Sequence, residues 1–226
     1  GKLELIGKGI RKPTSRKAGH LESFTHTSLL IAQARTWDII TEADTVESFH
    51  HLRQELKAIG QAAYLGELLD SFTEVNDENQ PLWDILLVAL RQLDEYASSP
   101  QEYDAAMLLR WYEMHLLGLT GFQPQLVSCL GSGKDLVEEV NYLSIVEGGL
   151  YSPDYAASQD NVEPIEPDVL KIMRHIQRNP WPNLSNLRIS AGVMQRVENV
   201  LHRMLVAVLE RRLKSVDFLR KLRHVS

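Results

Sequence analysis

The chain has 226 residues, 44% of them hydrophobic and 24% charged, with a formal net charge of -6. That composition is ordinary for a soluble globular protein, and no apolar run approaches the ~20 residues that a membrane-spanning helix needs. The lone Cys129 rules out an internal disulfide and suits a reducing cytoplasm. Leu3 to Ile6, the first apolar stretch, is too short for the core of a secretory leader.

The charge is unevenly spread. Residues 1–17 carry Lys2, Lys8, Arg11, Lys12, Arg16 and Lys17 against Glu4 alone. Residues 211–226 carry Arg211, Arg212, Lys214, Arg220, Lys221 and Arg223 against Asp217. The middle is acidic, with runs at 74–78 and 163–168. Basic ends on an acidic body predict a polyanion site assembled locally, with an ordinary solvated face as the alternative for either cluster.

In chain order, residues 1–47 read as strands. Leu3 to Ile6 alternates, His20 to Gln33 is rich in Thr, Phe, Leu and Ile, and Trp37 to Thr41 follows. Between the first two strands the stretch GKGIRKPTSRKAGH, with its glycines and Pro13, reads as a loop. From Phe49 the period changes, and Leu52, Leu56, Ile59, Ala62, Leu65 and Leu69 predict an amphipathic helix to about Phe72. Pro81 opens a second helix that ends near Ser98 to Pro100. A third runs from Tyr103 to Leu119 with Met107, Leu108, Trp111, Met114 and Leu117 inward, and Gly121 suits its C-cap. Residues 121–159 read as irregular. Pro167 opens a helix through Arg178, residues 180–182 turn, and Ser190 caps a long final helix with Val197, Leu201, Met204 and Leu205 on its apolar stripe.

Local catalytic signatures are weak. Gly131-Ser132-Gly133-Lys134 lacks the earlier glycine and the hydroxyl of a phosphate loop, because Ser128 and Asp135 occupy those places. His115, His175 and His202 are isolated on helices and read as surface or satisfied core histidines. Cys129 has no neighbouring base, so a cysteine hydrolase is disfavoured. Nothing predicts an enzyme or a nucleotide cofactor. Cys129 and Ser132, and again Ser152 and Tyr155, have the spacing of C-x-x-C knuckles with other residues at three of the four positions, a pattern that taken alone reads as coincidence. One thiol, two hydroxyls and a phenol do not suit zinc, so no metal is expected.

Several stretches together resemble one family. GKGIRKPTSRKAGHLESF is similar to the end of the N-terminal domain of RecO recombination and repair proteins, and AAYLGELLD resembles its first helix. LLRWYEMHLLGLTGFQPQLVSC resembles the helix leading to its zinc-knuckle region, and GGLYSPDYA its second knuckle. LERRLKSVDFLRKL resembles its C-terminal signature. The resemblance covers essentially the whole chain. It implies an α+β, mostly α fold: a partial oligonucleotide-binding (OB) barrel at 1–47, then a helical domain at 48–226 with a degenerate knuckle insertion at 121–159. Without metal, that insertion is expected to rest on Leu126, Val127, Val140, Leu143, Ile145 and Leu150. The family's barrel begins roughly 35 residues before the position of Gly1, and a five-stranded barrel needs more than the strands present. The chain is therefore expected to be truncated at its start.

The resemblance also implies a function: binding single- and double-stranded DNA, annealing complementary strands and, with RecR, helping RecA load onto DNA coated by single-strand-binding protein. A cytoplasmic, nucleoid-associated bacterial protein is expected. The DNA-contacting candidates are Lys8, Arg11, Lys12, Arg16 and Lys17, with Arg211, Arg212 and Lys214 as a second patch. Phosphate contacts of this kind are blind to sequence. Phe24 and Trp37 are candidates to stack on bases, with core packing the favoured role for both. The acidic, apolar-ended tail of single-strand-binding protein calls for an apolar groove edged by Arg or Lys, for which Arg91 and Arg110 are candidates. The rival is a protein-only adaptor whose barrel no longer binds DNA.

Overall fold

The structure is a computed structural model that describes residues 2–10, 12, 15, 17–99 and 104–209. The described residues fall into two units, residues 2–99 and residues 104–209.

In the first unit, β1 (Leu5–Ile6), β2 (His26–Ala32) and β3 (Asp38–Glu47) form a sheet in the order β1-β3-β2. β2 and β3 are an antiparallel hairpin, with Leu29 opposite Ala43 and Ser28 opposite Asp44. β1 joins β3 in parallel, Leu5 opposite Asp38. From Glu42 on, the two-residue alternation leaves Glu42, Asp44 and Val46 exposed with Ala43 inward, and a register shift between Leu30 and Ile31, opposite Glu42 and Ile40, lets Ile40 be buried as well. Among the described residues these three strands make an open sheet, not a closed barrel.

α1 (Leu56–Phe72) and α2 (Gln80–Ser98) complete this unit. α1 starts seven residues later than the apolar period suggests, because Phe49 has φ of 44°, a left-handed conformation that cannot continue a helix. Leu52, expected on the helix, lies in the preceding turn and is fully buried. Its N–H donates to Asp94 Oδ1 at 2.8 Å, which ties the turn to α2. The buried face of α1 runs through Ala58, Gln61, Ala62, Leu65 and Leu68, so Leu56 is left exposed. α2 begins as expected: Asn79 Oδ1 accepts the Leu82 N–H at 3.2 Å and Pro81 sits in the first turn.

In the second unit, α3 (Ala106–Leu119) packs against α5 (Pro167–Arg178) and α6 (Ala191–Leu209). Every residue from Met107 to Met114 is buried, so α3 is buried nearly all round rather than along one stripe. Each fully buried leucine in it, such as Leu108 or Leu116, contributes roughly 2 kcal/mol by leaving water. Gly121, at φ of 88°, ends the helix, and the next N–H, of Phe122, returns to Leu117 O at 2.7 Å.

Residues 121–159 are more ordered than expected. β4 (Gln125–Cys129), β5 (Asn141–Ser144) and β6 (Gly149–Tyr151), with β7 (Val162–Ile165), form a sheet ordered β4-β6-β5-β7, and α4 (Pro153–Ala156) is a single turn. These strands have three to five residues, too few for a period to show. Leu126, Leu143 and Leu150 are fully buried as expected, whereas Val140 is exposed. The boundary expected after residue 47 separates sheet from helices, while the units divide after residue 103, grouping α1 and α2 with the first sheet.

Candidate functional site

The loop between β1 and β2 is built from successive turns. The Lys12 N–H donates to Gly9 O at 3.0 Å, Ser15 N–H to Lys12 O at 2.9 Å and Ala18 N–H to Ser15 O at 3.2 Å. Gly9 has φ of 73°, which favours glycine at that bend. The far end of the loop is clamped to the sheet. Lys17 Nζ donates to Ile40 O at 2.9 Å, and His20 Nδ1 accepts the Thr45 N–H at 3.1 Å, which places the ring proton on Nε2.

Lys8 and Lys12 are exposed on this loop, and among the described residues neither has a carboxylate at ion-pair distance. Lys17 is different: half-buried and bonded to a carbonyl, it anchors the loop. Arg11 and Arg16 lie outside the described residues, as do Arg211, Arg212 and Lys214. Core packing does not hold for Trp37, which is 47% exposed just before β3, whereas Phe24 is half-buried.

Both candidate edges for an acidic peptide are occupied. Arg91 holds Glu47 with two hydrogen bonds, Nε to Oε2 at 2.7 Å and Nη2 to Oε1 at 2.6 Å. The bonds from Arg91, opposed by burial and aided by His26, bring the Glu47 carboxyl down to about 2 from its ordinary 4.5. Arg110 is buried, with Nη2 on Glu113 Oε1 at 2.5 Å and Nη1 at 2.8 Å from Glu198 Oε2. The acidic run at 163–168 is also engaged: Glu163 pairs with Arg203, and Arg196 pairs with Asp168 at 2.9 Å.

A groove of about 550 Å³ in the second unit has the required chemistry at other residues. Lys171, Arg174, His175 and Arg178 line it from α5, at the i, i+3, i+4, i+7 spacing that puts them on one helix face. Leu136, Val137, Leu170 and Leu187 supply apolar lining, and Glu138 and Glu139 the acidic part. Among the described residues none of the four basic side chains pairs with a carboxylate. Arg174 Nε donates to Leu126 O at 2.6 Å, while its buried Nη2 has no hydrogen-bond partner. Burial and the neighbouring Arg178 charge push the Arg174 guanidinium below its usual proton affinity. The sequence signal for this groove was the basic spacing on α5, legible only once Leu136 and Leu187 are known to flank it.

The knuckle positions come together. The Ser152 N–H donates to Cys129 Sγ at 3.3 Å, and the Ser152 hydroxyl lies 3.6 Å from the same sulfur. Burial raises the thiol, but hydrogen bonds from Ser152 and Ser132 outweigh it and lower Cys129 to about 6. Tyr155 seats its ring on Gly131. Zinc in a structural site takes four thiolate or imidazole ligands; one thiol, two hydroxyls and a stacked phenol do not fit it. The glycines of residues 131–134 serve a turn, in which Gly133 N–H donates to Cys129 O at 2.8 Å and φ is 69°. His115 is a half-buried, satisfied histidine: Nε2 lies 3.1 Å from Asn179 O, and burial lowers its proton affinity.

Comparison with known proteins places these features in a family. The family model described as "Recombination protein O C terminal" matches residues 53–217. The chain is 36% identical to "DNA repair protein RecO" of Roseiflexus sp. (strain RS-1) over 225 residues, which covers 100% of this chain and 77% of the relative. It is 29% identical to "DNA repair protein RecO" of Dehalococcoides mccartyi strain 195 over 219 residues, covering 97% of this chain and 84% of the relative. Since both the matched segment and these relatives run through the helices, the groove and the knuckle just described, this chain belongs to the RecO family of DNA repair proteins.

Proposed function

We propose that this chain is a non-enzymatic DNA-repair mediator. It binds single- and double-stranded DNA without reading bases and anneals complementary strands. With RecR it promotes RecA loading on DNA coated by single-strand-binding protein. The observation that carries this reading is the pair of exposed lysines, Lys8 and Lys12, which have no carboxylate at ion-pair distance among the described residues, on a loop anchored through Lys17 and His20. An anchored loop holds its charge in place, so phosphate contacts form without ordering a free segment. The sheet beneath is read as part of an OB-type domain. Its outward face carries Glu42 and Asp44, which repel phosphate and confine DNA to the loop.

Annealing requires two polyanionic strands to approach, and lysine contacts to phosphate screen both while leaving base edges free to pair. The groove beside α5 is the dock proposed for the acidic tail of single-strand-binding protein: its cations meet the carboxylates and its leucines the apolar end. The compartment proposed is the bacterial cytoplasm. The protein should bind unrelated single-stranded oligonucleotides with equal affinity and accelerate pairing of complementary ones. Failure to bind any of them at low salt leaves the protein-only adaptor.

A further inference from the structure

The four positions Cys129, Ser132, Ser152 and Tyr155 carry one thiol, two hydroxyls and a phenol at the spacing of a four-ligand metal site. Cys129 ends β4 and Ser132 lies in the turn after it, while Ser152 is the N-cap of α4 and Tyr155 lies within its single turn, each pair three residues apart. Two thiolates on a tetrahedral zinc with bonds of about 2.3 Å stand about 3.8 Å from each other. Ser152 Oγ stands 3.6 Å from Cys129 Sγ, close to that separation. The Ser152 N–H is aimed at the same sulfur, 3.3 Å away. The Cys129 N–H donates to Lys134 O and the Gly133 N–H to Cys129 O, both at 2.8 Å, which closes the turn that carries Ser132. On the remaining side, a Cβ built at Gly131 would come within 2.4 Å of Tyr155 Cδ1, so the tyrosine ring lies directly against the turn.

We propose that this segment is a metal-free clasp whose backbone still holds tetrahedral ligand geometry: the Cys129 sulfur, bonded by Ser152, and the Tyr155 ring seated on Gly131 join the 129–134 turn to α4 where a metal would join them. The clasp has a local consequence. Cys129, Tyr151 and Ala156 form one small core, and Leu136, which also lines the α5 groove, packs on it. The Leu136 N–H is held by Val127 O at 2.9 Å. The clasp therefore sets the position of that groove wall, and it does so whether or not the chain binds DNA.

The test is to restore the missing thiols with Ser132→Cys, Ser152→Cys and Tyr155→Cys in the full chain. Elemental analysis should find about one zinc per chain in the triple variant, and cobalt in its place should give the intense visible absorption of tetrahedral thiolate coordination. Adding Cys129→Ala to the triple should remove most of the bound metal. A triple variant with wild-type circular dichroism that takes up no zinc would overturn the retained frame. The unaltered protein gives a second, independent reading: its melting temperature should not respond to a chelator and should fall on Tyr155→Ala. Stoichiometric zinc in it, or a fall in melting temperature with chelator, would overturn the metal-free clasp.

Discussion

Replacing Lys8 and Lys12 together by alanine gives the most direct test of the nucleic-acid interface. Both side chains are exposed and, among the described residues, have no carboxylate partner, so each is available for one phosphate. Lys17 is left in place because its bond to Ile40 O holds the loop. On single strands each phosphate contact contributes about 0.7 to the slope of log K against log salt. Removing two contacts should lower the slope by about 1.4. Over a fourfold rise in salt, from about 50 to about 200 mM, the wild-type advantage should shrink about sevenfold. Fluorescence anisotropy with a labelled oligonucleotide of one base type, titrated at several salt concentrations, reads this slope. A double variant of Lys171→Ala and Arg178→Ala should keep the wild-type slope, because the groove is assigned to peptide. Parallel lines for wild type and the Lys8/Lys12 variant would remove the loop from the interface, however large the uniform loss of affinity.

Three other outcomes follow from the same geometry. The Lys171→Ala/Arg178→Ala variant should lose about tenfold in affinity for a short acidic peptide ending in an apolar residue, read by calorimetry, since rim charges contribute modestly. Glu47 has a folded-state proton affinity depressed to about 2 from 4.5, so its contribution is fully present above 4.5 and is lost as pH falls toward 2. With Arg91 half-exposed, solvent screening reduces that contribution to about 1 kcal/mol. The wild-type advantage over Glu47→Gln in urea melts should be level from about pH 7 to 5 and shrink below about pH 4; a constant difference down to about pH 3 would contradict it. Arg110→Met should destabilise the protein by about 3–5 kcal/mol, because Glu113, 1% exposed, loses its closest counter-charge. Urea unfolding of the single variant and of Arg110→Met/Glu113→Met should show partial recovery in the double.

Some elements were legible because their signals are local. Pro167, Pro81 and Gly121 mark helix ends by backbone chemistry that acts within a few residues, and α2, α5 and the end of α3 stand where those residues put them. The spacing of Cys129 and Ser132 and of Ser152 and Tyr155 did not carry a knuckle by itself; only the resemblance to the family gave that pattern a meaning. The seven-residue delay of α1 was not legible, because an apolar period cannot register the left-handed turn at Phe49 or the Asp94 carboxylate that holds it. Nor were β5 and β6, whose strands are too short for any period to emerge.

The sequence by itself determined the family, the order of the helices and the clustering of basic residues in a short N-terminal loop, since each depends on residue identity and spacing along the chain. Only the tertiary structure decided which basic side chains are already engaged. Lys17, Arg91 and Arg110 look like Lys8 and Arg178 in a sequence, yet the first three are bonded to a carbonyl or to carboxylates. Those partners lie 23 residues away for Lys17 and 44 for Arg91, and 3 and 88 for Arg110. A charged group's availability is set by what folding brings within about 4 Å of it, and that distance is a property of the folded chain.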